Sequence, residues 1–203
     1  MLVFSDQNLV FLAVPKTGTT AVEMALKNKA DIILTKGRKH TPALRYRNKI
    51  APFLHDTFAI TPDPIAVMRD PIEQIRSWFR YRSGPRQAGT PKGTGGCSFD
   101  DFVLGVIADK PPVFAGIGSQ YNFLTSAKGE VLVKHLFAYE RQPVFRGFLN
   151  ETFGEAIVFK QKNVSPPMDA PLSQAVEDQL RVARAPEFAL YQRILDAGGH
   201  LQP

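Results

Sequence analysis

A continuous apolar segment that ends in a polar turn and is followed by a helical pattern constrains the fold more than any other feature. Residues 9–14 are all apolar, and residues 15–20 follow them with the sequence PKTGTT. Apolar side chains then recur at helical spacing from residue 21 to residue 26. A strand that is apolar along its whole length is buried on both faces, which is typical of a parallel sheet covered by helices. The segment therefore predicts an α/β fold.

A second strand–turn–helix unit covers residues 65–79. Its strand is the short apolar run IAVM at residues 65–68, which ends at Arg69. Asp70 is a favourable N-cap residue, and Pro71 suits the first position of a helix that continues to residue 79. Two such units in one chain strengthen the prediction of a parallel sheet.

The remaining pattern predicts further helices and strands in alternation. We expect helices at 99–107, 120–124, 143–153, 173–184 and 186–197, and strands at 130–137 and 156–159. Residues 82–98 contain five glycines, two prolines and three basic residues, which predicts a flexible loop. No linker interrupts the pattern. Residues 1–203 are therefore predicted to form a single α/β domain, with a central parallel sheet and helices on both faces.

Composition and charge narrow the class of protein. The chain has 25 Lys and Arg residues against 19 Asp and Glu, a net charge of +6, which favours an anionic partner. One cysteine, Cys97, excludes an internal disulfide framework and a zinc site built on several cysteines. No apolar stretch reaches the ~20 residues that a membrane span needs, and no signal-peptide pattern precedes residue 9. We therefore expect a cytoplasmic location.

The PKTGTT turn has the chemistry of a phosphate-binding loop. Gly18, Thr19 and Thr20 are small enough for backbone amides to approach an anion, and the start of the next helix adds partial positive charge. Lys16 supplies a full charge, and the threonine hydroxyls, including that of Thr17, supply donors. The turn is not a Walker A loop, because its lysine precedes its single glycine.

Residues 12–20, LAVPKTGTT, closely resemble the 5′-phosphosulfate loop of the sulfotransferases that use 3′-phosphoadenosine 5′-phosphosulfate (PAPS). That family also has a strand ending in an arginine, with a serine eight residues later, and the two bind the 3′-phosphate. Here Arg69 ends a strand and Ser77 stands eight residues after it, about two helical turns along. Taken alone, Arg69 would be more typical of an ion-pair partner at a helix start. The resemblance implies a P-loop-type three-layer fold, and it implies that Lys16 stabilises the departing phosphate.

Three weaker matches to the carbohydrate-type branch of this family lie further along the chain. They are residues 39–41 (KHT), residues 133–140 and residues 163–165 (NVS). The late R-K-G loop of the small-molecule branch is absent, and Lys160 and Lys162 are the substitutes that the sequence offers. The chain is also short for the family, so acceptor-binding elements would be reduced or supplied by a partner chain.

Sulfuryl transfer to a hydroxyl needs a group that takes the proton of the acceptor. His40 is the first candidate, because the ordinary pKa of histidine is about 6.5 and the neighbouring Arg38 and Lys39 favour the neutral ring. Glu23, on the first turns of the helix after PKTGTT, is the alternative, and His55 is a weaker one.

Five basic residues cluster on the second helix and in the glycine-rich loop. These side chains are candidates for binding an anionic ligand. They are equally consistent with a basic helix face that is exposed to solvent and binds no ligand. The five are Arg76, Arg80, Arg82, Arg86 and Lys92.

The leading hypothesis is a PAPS-dependent sulfotransferase that moves a sulfuryl group to a hydroxyl or amine and releases PAP, the desulfated product, without a metal. Two alternatives stay open. One is a non-catalytic nucleotide or nucleic-acid binding protein, although no nucleic-acid module is recognisable. The other is a P-loop kinase-like enzyme, although the Walker A sequence is absent. The class of the acceptor and the oligomeric state are left open.

Overall fold

A mixed six-stranded sheet forms the centre of the fold. The structure is a computed structural model that describes residues 1–159 and 168–203. The central strands run parallel to one another, whereas each outer strand pairs antiparallel with its neighbours. The strands are β1 (Leu2–Phe4), β2 (Leu9–Leu12), β3 (Ile32–Ile33), β4 (Asp63–Met68), β5 (His135–Ala138) and β6 (His200–Leu201), in the order β3-β1-β2-β4-β5-β6.

The predicted α/β class is confirmed, but the sheet is parallel only at β2, β4 and β5. Turn residues 5–8 join β1 to β2, and so short a connection can only produce an antiparallel pair. At the other side, β6 runs antiparallel to β5, with His200 opposite Phe137. The prediction of a parallel sheet therefore holds for three strands and is wrong for the other three.

Two strand predictions were wrong in position. Residues 156–159 form no strand, and the N–H of Ile157 donates to the side chain of Asn150, at Oδ1, over 2.7 Å. The strand beside β5 at this side of the sheet is β6. The strand predicted at 130–137 is confined to β5, because Val131 forms a separate bridge with Thr125.

Every helix predicted from the sequence is present. The predicted cap of one of them also forms, since the N–H of Glu73 donates to Asp70 Oδ1 at 2.9 Å. Helical backbone further covers Lys36–Arg38 and the whole of residues 43–58, which the sequence did not predict. The loop at 83–98 contains turns and no helix or strand. The helices are α1 (Thr19–Leu26), α2 (Ala43–Arg45), α3 (Ala51–Phe58), α4 (Pro71–Arg82), α5 (Phe99–Ile107), α6 (Gln120–Leu124), α7 (Gln142–Phe153), α8 (Gln174–Ala183) and α9 (Ala185–Asp196).

Helices pack on both faces of the sheet because side chains of successive strand residues alternate between two apolar clusters. On one face, Leu12 and Met68 share a buried cluster with Leu54 of α3 and with side chains of α6 and α9. On the other face, Phe11 stacks on Phe145 of α7, and α1 completes the cluster. Full burial of each such side chain contributes about 1.5–3 kcal/mol. A third cluster joins α4, α5 and α8.

Two histidines form a pair where β5 meets β6. His135 Nδ1 lies 2.9 Å from His200 Nε2, and the His200 ring stacks on Phe137 with 4.2 Å between ring centroids. The strand position of His135 indicates a structural role, whereas the sequence indicates none for His200. Burial first, and then a neighbouring basic group, lowers the pKa of both histidines below the ordinary value of 6.5.

We expect the protein to lose stability as the pH falls below 6.5, because the unfolded chain then binds protons that the folded pair resists. The His135→Gln/His200→Gln variant should show a smaller decrease in melting temperature between about pH 7 and about pH 5. His55→Gln is the matched control, since the His55 side chain is 66% exposed. An equal decrease in the wild type and in the double variant would contradict the role of the pair.

Candidate functional site

The carboxyl ends of three neighbouring parallel strands bring the sequence motifs together. β2 leads into residues 15–20, β4 ends next to Arg69, and β5 ends next to Tyr139 and Glu140. In open α/β sheets, ligands bind at this edge. The two motifs predicted to bind one cofactor therefore lie at the same edge, on the adjacent strands β2 and β4.

The PKTGTT turn is held in shape by its own backbone and by Tyr139. Lys16 and Gly18 have positive φ angles of 68° and 73°. Thr17 Oγ1 donates to the Val14 carbonyl at 2.9 Å, which closes the turn. A Cβ atom at Gly18 would lie 2.9 Å from Tyr139 Cε2. Glycine is thus required at this position both by the backbone conformation and by the close approach of the tyrosine ring.

The turn presents a row of backbone donors at the start of α1. Among the described residues, no acceptor is bonded to the N–H groups of Thr17, Gly18, Thr19 or Thr20. The first turn of α1 contains no acidic residue, and no side chain caps it. Free donors and the partial positive charge of a helix start suit an anion such as phosphate. The Thr17 hydroxyl is already donated within the turn, so this residue offers a ligand its N–H.

Lys16 lies against aromatic side chains of α4. Its Nζ is 4.6 Å from the ring centroid of Tyr81 and 5.5 Å from that of Trp78. Burial, together with the nearby Arg69 guanidinium, lowers the pKa of Lys16 from 10.5 to about 8. A bound anion would offset the repulsion between these two cations, and it would favour the charged form of Lys16.

Arg69 lies between an aromatic ring and two carboxylates. Its guanidinium carbon is 4.8 Å from the ring centroid of Tyr139, and its Nε is buried without a hydrogen bond in the described part of the chain. Nη2 is 3.6 Å from Glu73 Oε2, and Nε is 3.9 Å from Glu140 Oε1. Both separations exceed hydrogen-bond length. Arg69 thus lies near two carboxylates, as expected for an ion-pair partner at the start of a helix. Within the described parts of the chain, its guanidinium N–H groups are still free to donate hydrogen bonds to a phosphate.

Tyr139, for which the sequence predicted no role, connects the two motifs. Its ring approaches Gly18 on β2's turn and also lies against Arg69 at the end of β4. The next residue, Glu140, is the second carboxylate near Arg69. The match of residues 133–140 to the carbohydrate-type branch was the signal that could have indicated both.

Ser77 lies on α4, one helical turn after Glu73, the residue that approaches Arg69. Ser77 is half-buried. α4 is fastened to the PKTGTT turn by Gln74, whose Nε2 donates to the Pro15 carbonyl at 3.2 Å. The helix that carries the predicted serine is therefore packed against the predicted phosphate loop.

A single hydrogen bond brings His40 to the PKTGTT turn. His40 Nδ1 lies 2.6 Å from the carbonyl oxygen of Ala13, just before the turn. A carbonyl only accepts, so Nδ1 carries the proton, and Nε2 of the neutral ring has a free lone pair. Burial, and to a lesser extent Lys39, lowers the pKa of His40, although the bond to Ala13 opposes this shift. The neutral form is the one that can act as a base.

Glu23, the alternative base, is engaged in an ion pair. Lys39 Nζ donates to Glu23 Oε2 at 2.7 Å, and the two side chains are only 20% and 24% exposed. Glu23 Oε2 is thus already engaged by the Lys39 ammonium, whereas Nε2 of His40 has no hydrogen-bond partner among the described residues. This geometry favours His40 over Glu23.

Three of the five basic residues on α4 and in the loop after it donate hydrogen bonds to backbone carbonyls of this protein. Arg82 is buried and donates to two backbone carbonyls at 2.7 and 3.0 Å. Arg76 and Arg80 each donate to a carbonyl of the segment 168–170, at 3.1 and 3.3 Å. The other two residues of the group, Arg86 and Lys92, lie in the loop and are exposed. Arg82 therefore supports the packing of the fold.

A buried polar network, which the sequence did not predict, fixes the backbone of Arg69. The Gln120 side chain accepts from the Arg69 N–H and donates to the Arg69 carbonyl, both at 2.9 Å. Glu187 in turn accepts from the Gln120 N–H at 3.0 Å and from the Ser119 hydroxyl at 2.8 Å. Gln120 and Glu187 are 1% and 5% exposed. No local sequence pattern marks either residue.

The PAPS hypothesis predicts that Gln120→Leu weakens the binding of PAP roughly tenfold and leaves the binding of AMP unchanged, because the substitution removes both hydrogen bonds that hold the backbone of Arg69. Calorimetric titration with the two nucleotides measures this difference. Gln192→Leu, on the exposed side of α9, is the matched control. Equal weakening of PAP and AMP would show that Gln120 acts on the fold and not through Arg69.

Comparisons with protein-family models, with curated proteins and with solved structures find no match to this chain. Within residues 1–159 and 168–203, no group of three or more His, Cys, Asp or Glu side chains could hold a metal ion. None of the helices in the described ranges is long and apolar enough to cross a membrane. The predicted match at 163–165 and the lysines at 160 and 162 lie outside the described residues.

Proposed function

We propose that this protein is a PAPS-dependent sulfotransferase, which transfers a sulfuryl group to a hydroxyl or amine of its acceptor and releases PAP. One observation carries this proposal: Lys16 and Arg69 lie at the ends of the adjacent strands β2 and β4, beside the free N–H groups of residues 17–20. Tyr139 contacts both motifs. Two cations at one edge suit a nucleotide that carries phosphates at two positions.

Binding divides between two groups of residues. The N–H groups of residues 17–20 and the Lys16 ammonium bind the 5′-phosphate side of the nucleotide. Arg69 and Ser77 bind the 3′-phosphate. For this, Arg69 exchanges its long contacts with the two glutamates for charge-assisted hydrogen bonds, which are shorter and stronger.

Catalysis rests on positioning and charge, because bound PAPS itself supplies the activated sulfuryl group. Lys16 and the N–H groups at the start of α1 stabilise negative charge at the 5′-phosphate. His40 Nε2 accepts the proton of the acceptor hydroxyl, while its Nδ1–H stays on the Ala13 carbonyl. The ion pair between Lys39 and Glu23 fastens the residue before His40 to α1.

We further assign the sheet to the P-loop type with three layers, and residues 1–203 to one cytoplasmic domain with a flexible loop at 83–98, since Arg82 belongs to α4. Helices on both faces support the layers. A phosphate-binding turn between the parallel strand β2 and the helix α1 supports the P-loop type.

Equilibrium binding separates this function from its two rivals. A kinase-like enzyme would prefer Mg–ATP, and the lysine and glycine order of PKTGTT argues against it. A nucleic-acid binding protein would take up an oligonucleotide with steep salt dependence. A sulfotransferase binds PAP better than either competitor, and preference for Mg–ATP or an oligonucleotide would overturn the assignment.

Arg69→Ala is expected to weaken PAP binding by about 10- to 100-fold, since charge-assisted hydrogen bonds contribute roughly 1.5–3 kcal/mol. AMP lacks the 3′-phosphate, so its affinity should hardly change. Calorimetric titration of both nucleotides measures the difference. Arg193→Ala, which removes an exposed arginine of α9, is the matched control. Similar PAP affinities for Arg69→Ala and Arg193→Ala would show that Arg69 does not bind the 3′-phosphate.

A further inference from the structure

The basic character of this protein is concentrated in one helical segment. Residues 36–58 contain six of the 25 Lys and Arg residues but only one of the 19 acidic residues, Asp56. The other 180 residues contain 19 basic and 18 acidic residues and are almost neutral. Helical backbone runs without interruption through the second part of the segment, residues 43–58.

The charges of this segment face solvent. Arg45, Arg47 and Lys49 are exposed, as are Lys36 and Arg38 before them. None of these five makes an ion pair within the described parts of the chain. Adjacent like charges without partners repel one another, which favours an anionic partner.

Two exposed phenyl rings stand at the end of the same segment. Phe53 and Phe58 are 53% and 52% exposed, the highest values for any Phe, Tyr or Trp of the described residues. Their ring centroids are 5.8 Å apart and their planes meet at 87°. Leu54, between them in sequence, is 1% exposed and anchors α3 to the sheet. The rings therefore form a compact apolar knob on a firmly packed helix.

We propose that residues 36–58 dock this protein on an anionic lipid surface. The basic side chains lie against lipid phosphates, and the Phe53–Phe58 knob enters the boundary between headgroups and acyl chains, as basic amphipathic helices do. The edge-to-face arrangement of the rings favours lipid over a nucleic acid or a glycan, because it offers no parallel platform for a planar base or a sugar ring. His40 belongs to this segment, so docking brings the candidate site close to the lipid.

Co-sedimentation with vesicles tests the charge. We expect the full-length protein to bind vesicles of phosphatidylcholine with about 30% phosphatidylglycerol, and to bind pure phosphatidylcholine weakly, at about 0.1 M salt. Arg45→Gln/Arg47→Gln/Lys49→Gln should lower the partition coefficient by about 100-fold, at roughly fivefold for each charge. A triple variant with the same change in net charge elsewhere, Lys110→Gln/Lys128→Gln/Arg193→Gln, should retain most of the binding.

The phenyl rings need a separate variant. Phe53→Ser/Phe58→Ser should weaken vesicle binding at least about tenfold, because the variant lacks the two phenyl rings whose transfer from water into lipid favours binding. Val113→Ser/Val182→Ser, at other exposed apolar positions, is its control. Equal binding by the two serine double variants would overturn the docking surface. So would binding of heparin or an oligonucleotide without any binding of vesicles. PAP titration of the same proteins reports on the proposed enzyme separately.

Discussion

His40→Ala is expected to slow sulfuryl transfer by about 10²–10⁴-fold while the affinity for PAP stays unchanged, the range that a general base contributes. The bond from Nδ1 to the Ala13 carbonyl leaves Nε2 as the only ring nitrogen able to accept a proton. Transfer to an acceptor hydroxyl measures the effect. Hydrolysis of PAPS to PAP can stand in before an acceptor is known.

The pH profile and two further variants make the His40 test specific. Since burial lowers the pKa of His40, the wild-type rate should rise with pH below 6.5 and reach its plateau before neutrality. His40→Ala should lose that rise. His55→Ala, at an exposed histidine of α3, should keep full activity. If Glu23→Gln lost activity while His40→Ala kept it, the general base would be the Glu23 carboxylate and not His40.

Lys16→Met is expected to lower turnover at saturating PAPS by about 10²–10³-fold, which is the usual effect of removing one transition-state donor. Charge on the 5′-phosphate grows during transfer, so a cation beside it stabilises the transition state more than the bound nucleotide. PAP affinity should therefore fall by a smaller factor than turnover. Near-normal turnover of Lys16→Met would exclude this role.

The shifted pKa of Lys16 gives an internal check on the same variant. With this pKa at about 8, Lys16 loses its charge as the pH rises above 8. A bound phosphate favours the charged form, so the affinity of the wild type for PAP should decrease above pH 8, by at most about tenfold for each pH unit. Lys16→Met has no such proton to lose, and its affinity should stay constant over this range.

The sequence by itself determined the two strand–turn–helix units and the residues that follow their strands. Residues 9–14 are apolar throughout and short, which predicts a strand buried on both faces, and PKTGTT contains the proline and glycine that end it. Asp70 and Pro71 set the start of α4 in the same way, through a cap to Glu73. These are interactions between residues within a few positions of one another, which is why local sequence suffices to predict them.

Only the tertiary structure decided the edges of the sheet and the surroundings of Arg69. Residues 200–201 form a strand beside β5, whereas the strand predicted at 156–159 does not form, and both segments are too short for propensity to distinguish them. Tyr139 approaches Gly18, and Gln120 binds the backbone of Arg69 across 51 residues of sequence. Such contacts exist only after helices and strands have packed, because each joins groups that no local pattern relates.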